Sequence, residues 1–354
     1  MNLLWTGKTG KPHAWYFIYP YVKSRLTKRI CVVRQNKIER MINDSKLTFK
    51  YFNKTSLFSE LWNYFITSRN ELGTKNIDLV VSYSFEPWGL IAWILAKFYN
   101  KKIVIGFIGS DYNNLKKNTL LTLIYKQILI RTDIITVTGN EMKNGFNEIL
   151  GTSENIIIFP HCIPHDKLYN RSDKNLNIKN LITVAYLMKD KRTIDIIKAI
   201  KLLKDQGIRV KLSIVGIGPL EESLREYVKE NNLSNYIDFL GFVDDLNDVY
   251  IGSDIFIQAS VREGLSLSLV EAIGMEIVPV ITNAGSELDI ISDKKNGVFF
   301  EKKNINDLAK KLKYVLEMNN YKTLLKGVQA TKKRLEPGFA IRTAEKIQKL
   351  LIDE

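Results

Sequence analysis

Short apolar runs rich in Val, Ile and Phe recur along the chain, and between them apolar positions return at helical spacing. In the first half these runs predict strands at 2–6, 29–34, 77–83, 102–108, 133–138 and 155–159. Helices are predicted at about 13–27, 56–72, 87–100, 117–131 and 140–150. A polar, aperiodic stretch with two prolines follows at 160–180 and suits a boundary between domains. The alternation then restarts, with strands at 181–187, 210–215, 237–241, 254–259, 278–282 and 297–300. Helices are expected at about 193–206, 219–232, 266–275, 286–292 and 305–318. Continuous apolar strands joined by helices imply parallel sheets covered on both faces, so the class is α/β with two doubly wound domains. The expected division is 1–170, 171–336, and a C-terminal amphipathic helix at 337–354 that packs back on the first domain.

In the second half, strands end in turns of small or charged residues: Val215–Pro219, Gly241–Asp244, Arg262-Glu263-Gly264 and Asn283–Ser286. Ligands of doubly wound sheets bind at those carboxyl ends. The stretch 260–274 is the most informative. Glu263 sits at the end of the strand 254–259, Gly264 permits close backbone approach, and Glu271 falls within the following helix. A helix N-terminus favours phosphate, and two carboxylates beside it suit a ligand with a diphosphate and hydroxyl-rich sugars. The alternative is a strand-to-helix turn with two incidental glutamates. Gly216 and Gly218 permit close approach to a ligand, although plain turn chemistry explains them equally well.

Length and charge narrow the classes. A single core rarely exceeds roughly 250–300 residues, so 354 residues imply two domains. Cys31 and Cys162 lie far apart without metal-ligand spacing. No G-x-G-x-x-G turn follows a strand, and Gly7-Lys8-Thr9-Gly10 lacks the earlier glycine of a P-loop. No Asp-x-Asp occurs, and His13, His161 and His165 show no metal spacing, so no metal site is expected. The start lacks a signal-peptide pattern and no apolar run reaches bilayer length, which predicts a soluble cytoplasmic protein. The net charge of +14 is uneven: residues 1–180 hold 26 Lys+Arg against 13 Asp+Glu. An anionic partner is therefore expected for the first half, such as a membrane surface, a lipid-linked substrate or nucleic acid.

Taken in order, VAYLMKDKRT (184–193), LSIVGIGP (212–219), IDFLGFV (237–243), the E-G-L…E stretch 263–271, PVITNAGS (279–286) and NGVFF (296–300) resemble the retaining sugar-nucleotide glycosyltransferases of the GT-B fold, family 4-like or group 1. A looser likeness runs through VIGFIGSD (104–111), DIITVTGNEM (133–142) and IIIFPHCIPHDKLY (156–169). The resemblance implies two Rossmann-like domains facing across a cleft, the first for acceptor and the second for donor. It implies transfer of a hexosyl group from a UDP- or GDP-sugar, with retention and without a metal or other cofactor.

Carried over by position, the resemblance puts Glu263 on the donor sugar's hydroxyls, with the amides of Gly264 and Leu265 nearby, and Glu271 on the ribose. Lys191 matches the lysine that neutralises the diphosphate leaving group, aided by Lys189 or Arg192. Gly216 and Gly218 line the donor, and Phe242 and Val243 hold the base through backbone groups. Two departures stand out. Tyr186 replaces the family's second cation, and Ile108-Gly109 replaces a His-Gly, leaving Asp111 as the polar residue for catalysis or acceptor contact.

The acceptor is expected to be lipid-linked or an oligosaccharide, within bacterial cell-surface polysaccharide or glycolipid synthesis. Lys23, Arg25, Lys28 and Arg29 beside the aromatic run 15–21 would suit an anionic membrane face, with peripheral attachment at the inner face of the membrane; the other reading makes those aromatics core. A noncatalytic sugar- or partner-binding relative of the fold is the alternative. A nucleic-acid-binding protein leaves the glutamates unexplained, and no nucleic-acid partner is expected.

Overall fold

The computed structural model describes residues 1–7, 11–35, 44–52, 56–74, 76–108, 112, 115, 119–151, 154–159, 161–163, 168–169 and 179–352. The chain forms two compact units, Met1–Cys162 with Pro337–Glu354, and Ile163–Glu336. The break falls after Cys162 rather than at 170. Cys162 packs with Tyr19 and Ala340 in the first unit. The next residue, Ile163, is fully buried in the second core and bonds its N–H to the Leu335 carbonyl at 3.1 Å.

In the first unit seven parallel strands lie in the order β3-β2-β1-β4-β5-β6-β7. They are β1 (Asn2–Gly7), β2 (Arg29–Arg34), β3 (Leu47–Tyr51), β4 (Leu79–Tyr83), β5 (Lys102–Gly106), β6 (Ile134–Val137) and β7 (Ile156–Ile158). The central strands are buried on both faces, which is why they read as unbroken apolar runs. β3 escapes the apolar pattern because it is an edge strand, LTFKY, half-buried and carrying a lysine. Helices Leu57–Thr74, Leu90–Phe98 and Asn140–Leu150 cover one face, sending Tyr64, Leu95 and Phe146 into a common core. Helices Lys11–Lys23 and Pro337–Ile352 cover the other, through Phe17, Tyr21, Ala344 and Ile347. The C-terminal helix is anchored there by Gln348, buried between Ser24 and Thr27.

The first helix runs through Pro20 and ends at Lys23, short of the expected 27. Its aromatic run is core: Tyr16, Phe17, Ile18, Tyr19 and Tyr21 are all buried. The neighbouring cations are exposed, with Lys23 on Asp44 and Arg25 on Glu345. That stretch is therefore no aromatic membrane face. Most of the boundary stretch 160–180, and the Gly109–Asp111 segment, lie outside the described residues; Ile108 is half-buried against the core.

The second unit has six parallel strands in the order β10-β9-β8-β11-β12-β13. They are β8 (Asn180–Val184), β9 (Lys211–Val215), β10 (Ile237–Gly241), β11 (Ile255–Gln258), β12 (Val278–Ile281) and β13 (Val298–Phe299). Strand order reverses between β8 and β11, the first and fourth strands of the unit. In a doubly wound sheet that reversal opens a crevice at the strands' carboxyl ends. A further helix, Met318–Arg334, follows Ile305–Leu316 after one extended residue, Glu317. Its signal was the spacing of the buried Tyr321, Leu324 and Val328. Lys332 ties it to the rest of the unit, its ammonium meeting the buried Glu276 carboxylate at 2.9 Å and the part-buried Tyr169 carbonyl at 2.6 Å.

Candidate active site

The site is assembled at the reversal between β8 and β11. The segment after β8 makes one 3-10 turn, Lys189–Lys191, and passes into the helix Thr193–Asp205. The segment after β11 carries Ser260 to Gly264 into the helix Leu267–Gly274, whose cap Ser266 accepts from the Leu269 N–H. The two segments are bonded along their length. Val261 donates its N–H to the Asp190 carbonyl at 2.9 Å, and Arg262 reaches the Asp190 carboxylate at 3.2 Å. The Lys191 ammonium donates to Glu263 Oε1. Side chains of Lys191 and Glu263 keep 25% and 15% of their surface exposed, so the pair is partly dried yet open to a ligand.

Glu263 is fixed from three sides. Ser260 Oγ donates to the same oxygen at 2.8 Å, and the Glu263 N–H bonds to the Ala284 carbonyl at 2.9 Å. Ser286 donates its N–H to the Gly264 carbonyl at 2.8 Å. The turn 263–264 thus rests on the segment after β12. Gly285 makes this possible, because a Cβ there would land on the carbonyl oxygens of Glu263 and Gly264.

Beneath that segment lies Glu287, which sequence reasoning missed. It is fully buried; it accepts from the Ala284 and Gly285 N–H groups at 3.1 and 2.5 Å and from Gln258 Nε2 at 3.0 Å. Burial pushes its carboxyl up to about 7, and the nearby Glu263 charge adds to the rise, while its hydrogen bonds restrain it. Glu271 sits one helical stretch further on. Tyr250, wholly buried, donates its hydroxyl to Glu271 Oε2 at 3.0 Å and so orients the carboxylate. Burial and the Glu271 charge hold that phenol neutral, well above its ordinary range.

Other expected residues take different stations. Arg192, in a left-handed conformation, grips Asp195 through two bonds of 2.7 Å and anchors the start of the helix Thr193–Asp205. Lys189 is exposed beside it. Gly216 and Gly218 are demanded by packing inside the unit. A Cβ on either would strike the backbone of Ala185 or Leu187, and Gly216 has φ near +128. Phe242 is 63% exposed, Val243 is half-buried, and the Leu265 side chain belongs to the core. Tyr186, Met188, Ile217 and Leu288 join Phe242 as exposed apolar groups on the same carboxyl-end turns. An apolar rim around convergent polar groups is the usual make-up of a small-molecule site. No sequence period marks such residues, since each comes from a different turn. Among the described residues, no cluster of His, Cys, Asp or Glu could hold a metal ion.

Residues 165–334, nearly the whole second unit, match the family model Glycosyl transferases group 1. Over 284 residues the chain is 26% identical to an uncharacterized glycosyltransferase of Methanocaldococcus jannaschii, covering 80% of this chain and 77% of that one. Over 333 residues it is 24% identical to the N,N'-diacetylbacillosaminyl-diphospho-undecaprenol alpha-1,3-N-acetylgalactosaminyltransferase of Campylobacter jejuni, covering 86% of each. Among solved structures, Anabaena HepE in complex with UDP-glucose aligns over 99% of both chains with a TM-score of 0.83 at 14% identity. The fold is thus that of the GT-B glycosyltransferases.

Proposed function

Because residues 165–334 match the Glycosyl transferases group 1 model, we propose that the chain transfers a hexosyl group from a nucleotide-diphosphate sugar to an acceptor hydroxyl with retention of configuration. The observation that carries this reading is the meeting of Lys191 and Glu263 at the strand-order reversal, with Glu271 set by Tyr250 on the following helix. A cation and two carboxylates there match the charges and hydroxyls of such a donor.

On binding, the diphosphate takes over the Lys191 ammonium, and Glu263 turns its freed oxygen to the sugar hydroxyls. Glu271 accepts from the ribose hydroxyls. As the bond from the anomeric carbon to the diphosphate oxygen breaks, its electron pair leaves on the diphosphate. Lys191 stabilises that charge where it grows, and the acceptor oxygen bonds to the same carbon as its hydroxyl proton passes to the departing diphosphate oxygen. The chemistry calls on no metal, because the ammonium and the helix N-termini meet the anionic leaving group. The acceptor falls to the basic first unit. The undecaprenol-linked substrate in the name of the Campylobacter relative favours a lipid-linked acceptor in bacterial surface polysaccharide synthesis.

Thermal shift with UDP-, GDP- and ADP-sugars, joined to assays of slow donor hydrolysis, tests the reading. One donor class should raise Tm and be hydrolysed. No shift and no hydrolysis with any of them would overturn it.

A further inference from the structure

We propose that one face of the first unit docks onto an anionic lipid surface: the outer side of the three helices Leu57–Thr74, Leu90–Phe98 and Thr119–Ile130. These helices cover the same side of the sheet. Tyr64, Leu95 and Leu129 enter one core, and the ring of Tyr125 edges onto Phe85, just ahead of the second helix. Their outer sides are apolar to a degree that folding does not require. Phe58 and Phe98 are each 78% exposed, Leu57 and Leu123 63%, Trp62 55% and Ile94 50%. A monomer rarely exposes so many large apolar side chains on neighbouring helices without a partner.

Charge selects the partner. On these helices the carboxylates of Glu60 and Glu71 are turned inward, 0% and 7% exposed, while Arg69 stays exposed, Arg131 follows directly, and Lys97 is exposed with its ammonium on Asp133 at 3.1 Å. The exposed carboxylate next to them in sequence is Glu86, in the turn before the second helix. The first unit as a whole holds 25 Lys+Arg against 14 Asp+Glu. Helices that carry exposed Trp, Phe and Leu with outward cations and no outward carboxylate of their own form the pattern of a surface that lies in a lipid headgroup region. None of the described helices is long and apolar enough to cross a bilayer, so attachment by this face is peripheral. The aromatic run of the helix Lys11–Lys23 is buried and contributes nothing to it.

Flotation of the full chain with vesicles of phosphatidylcholine alone, or of equimolar phosphatidylcholine and phosphatidylglycerol, tests this inference. The chain should bind the anionic vesicles at least about tenfold better, and added salt should weaken but not abolish that binding. The triple variant Phe58→Ser, Trp62→Ser, Phe98→Ser should lose binding at least about tenfold. All three positions are exposed, and an unchanged urea unfolding curve in that variant establishes that the fold is intact. Equal binding by wild type and triple variant overturns the proposal. So does concentration-dependent dimerisation that the triple variant abolishes while vesicle binding stays absent, for the face is then covered by a second copy. The donor experiment can fail without touching this outcome, and the reverse holds too.

Discussion

The Lys191 ammonium and the Glu263 carboxylate are bonded directly across the point where strand order reverses in the second unit. Without a donor, each thus satisfies the other's charge, and Ser260 shares the same carboxylate oxygen. Lys191→Ala and Glu263→Gln should each lower kcat by roughly 10²- to 10³-fold, the range for losing one preorganised electrostatic contact. The double variant should lose much less than the product of the two, since the groups act as a pair. Steady-state kinetics on all four proteins checks this, and a strictly multiplicative loss would count against a joint role.

Tyr250 and Glu271 give a second test. Tyr250→Phe removes the hydroxyl that orients Glu271. Its expected cost is about 1 kcal/mol in donor binding, seen as a several-fold higher KM at unchanged kcat. Glu271→Gln should narrow the preference for a ribose over a 2'-deoxyribose donor by roughly tenfold or more. A variant that keeps the full preference would remove Glu271 from the ribose.

Gly285 holds the Glu263 turn at backbone distance. In Gly285→Ala the new methyl meets two backbone carbonyls, which cannot swing aside as a side chain would. A loss of about 1–3 kcal/mol in stability is expected, together with a fall in activity beyond that of other alanine substitutions on the rim. Urea unfolding and kcat/KM measured on one preparation check both.

Glu287 supplies a pH signature. Its folded carboxyl is pushed from 4.5 up to about 7, chiefly by burial. In that window the folded state keeps a proton that the unfolded chain releases. The stabilisation is therefore complete below about pH 4.5 and is lost as pH rises through about 7, by roughly 3 kcal/mol in all. Glu287→Gln should remove this slope, so that wild type and variant converge or cross between about pH 5 and pH 8 in urea unfolding. Parallel pH profiles would contradict the shift.

The legible part of the site was whatever lay within one strand–turn–helix. Glu263 and Glu271 could be placed because the strand before them and the helix after them have clear periods, and Lys191 through the resemblance of the stretch 184–193 to the family pattern. Tyr250 and Glu287 come from other connections and reach the site only when the turns converge. Gly216, Gly218 and Gly285 were visible as glycines, but which neighbour each must clear depends on how adjacent turns stack.

The sequence by itself determined the two parallel sheets, nearly all their strands and the family motifs, because central strands are buried on both faces and must be continuously apolar. Edge strand β3 was exempt from that rule and stayed hidden. Tertiary structure alone decided that Arg192 serves Asp195, that the aromatics of the helix Lys11–Lys23 are core, and that another apolar face looks outward. Periodicity specifies which positions are apolar. Only packing decides which of them find a partner inside the unit, and so which charges pair and which faces remain exposed.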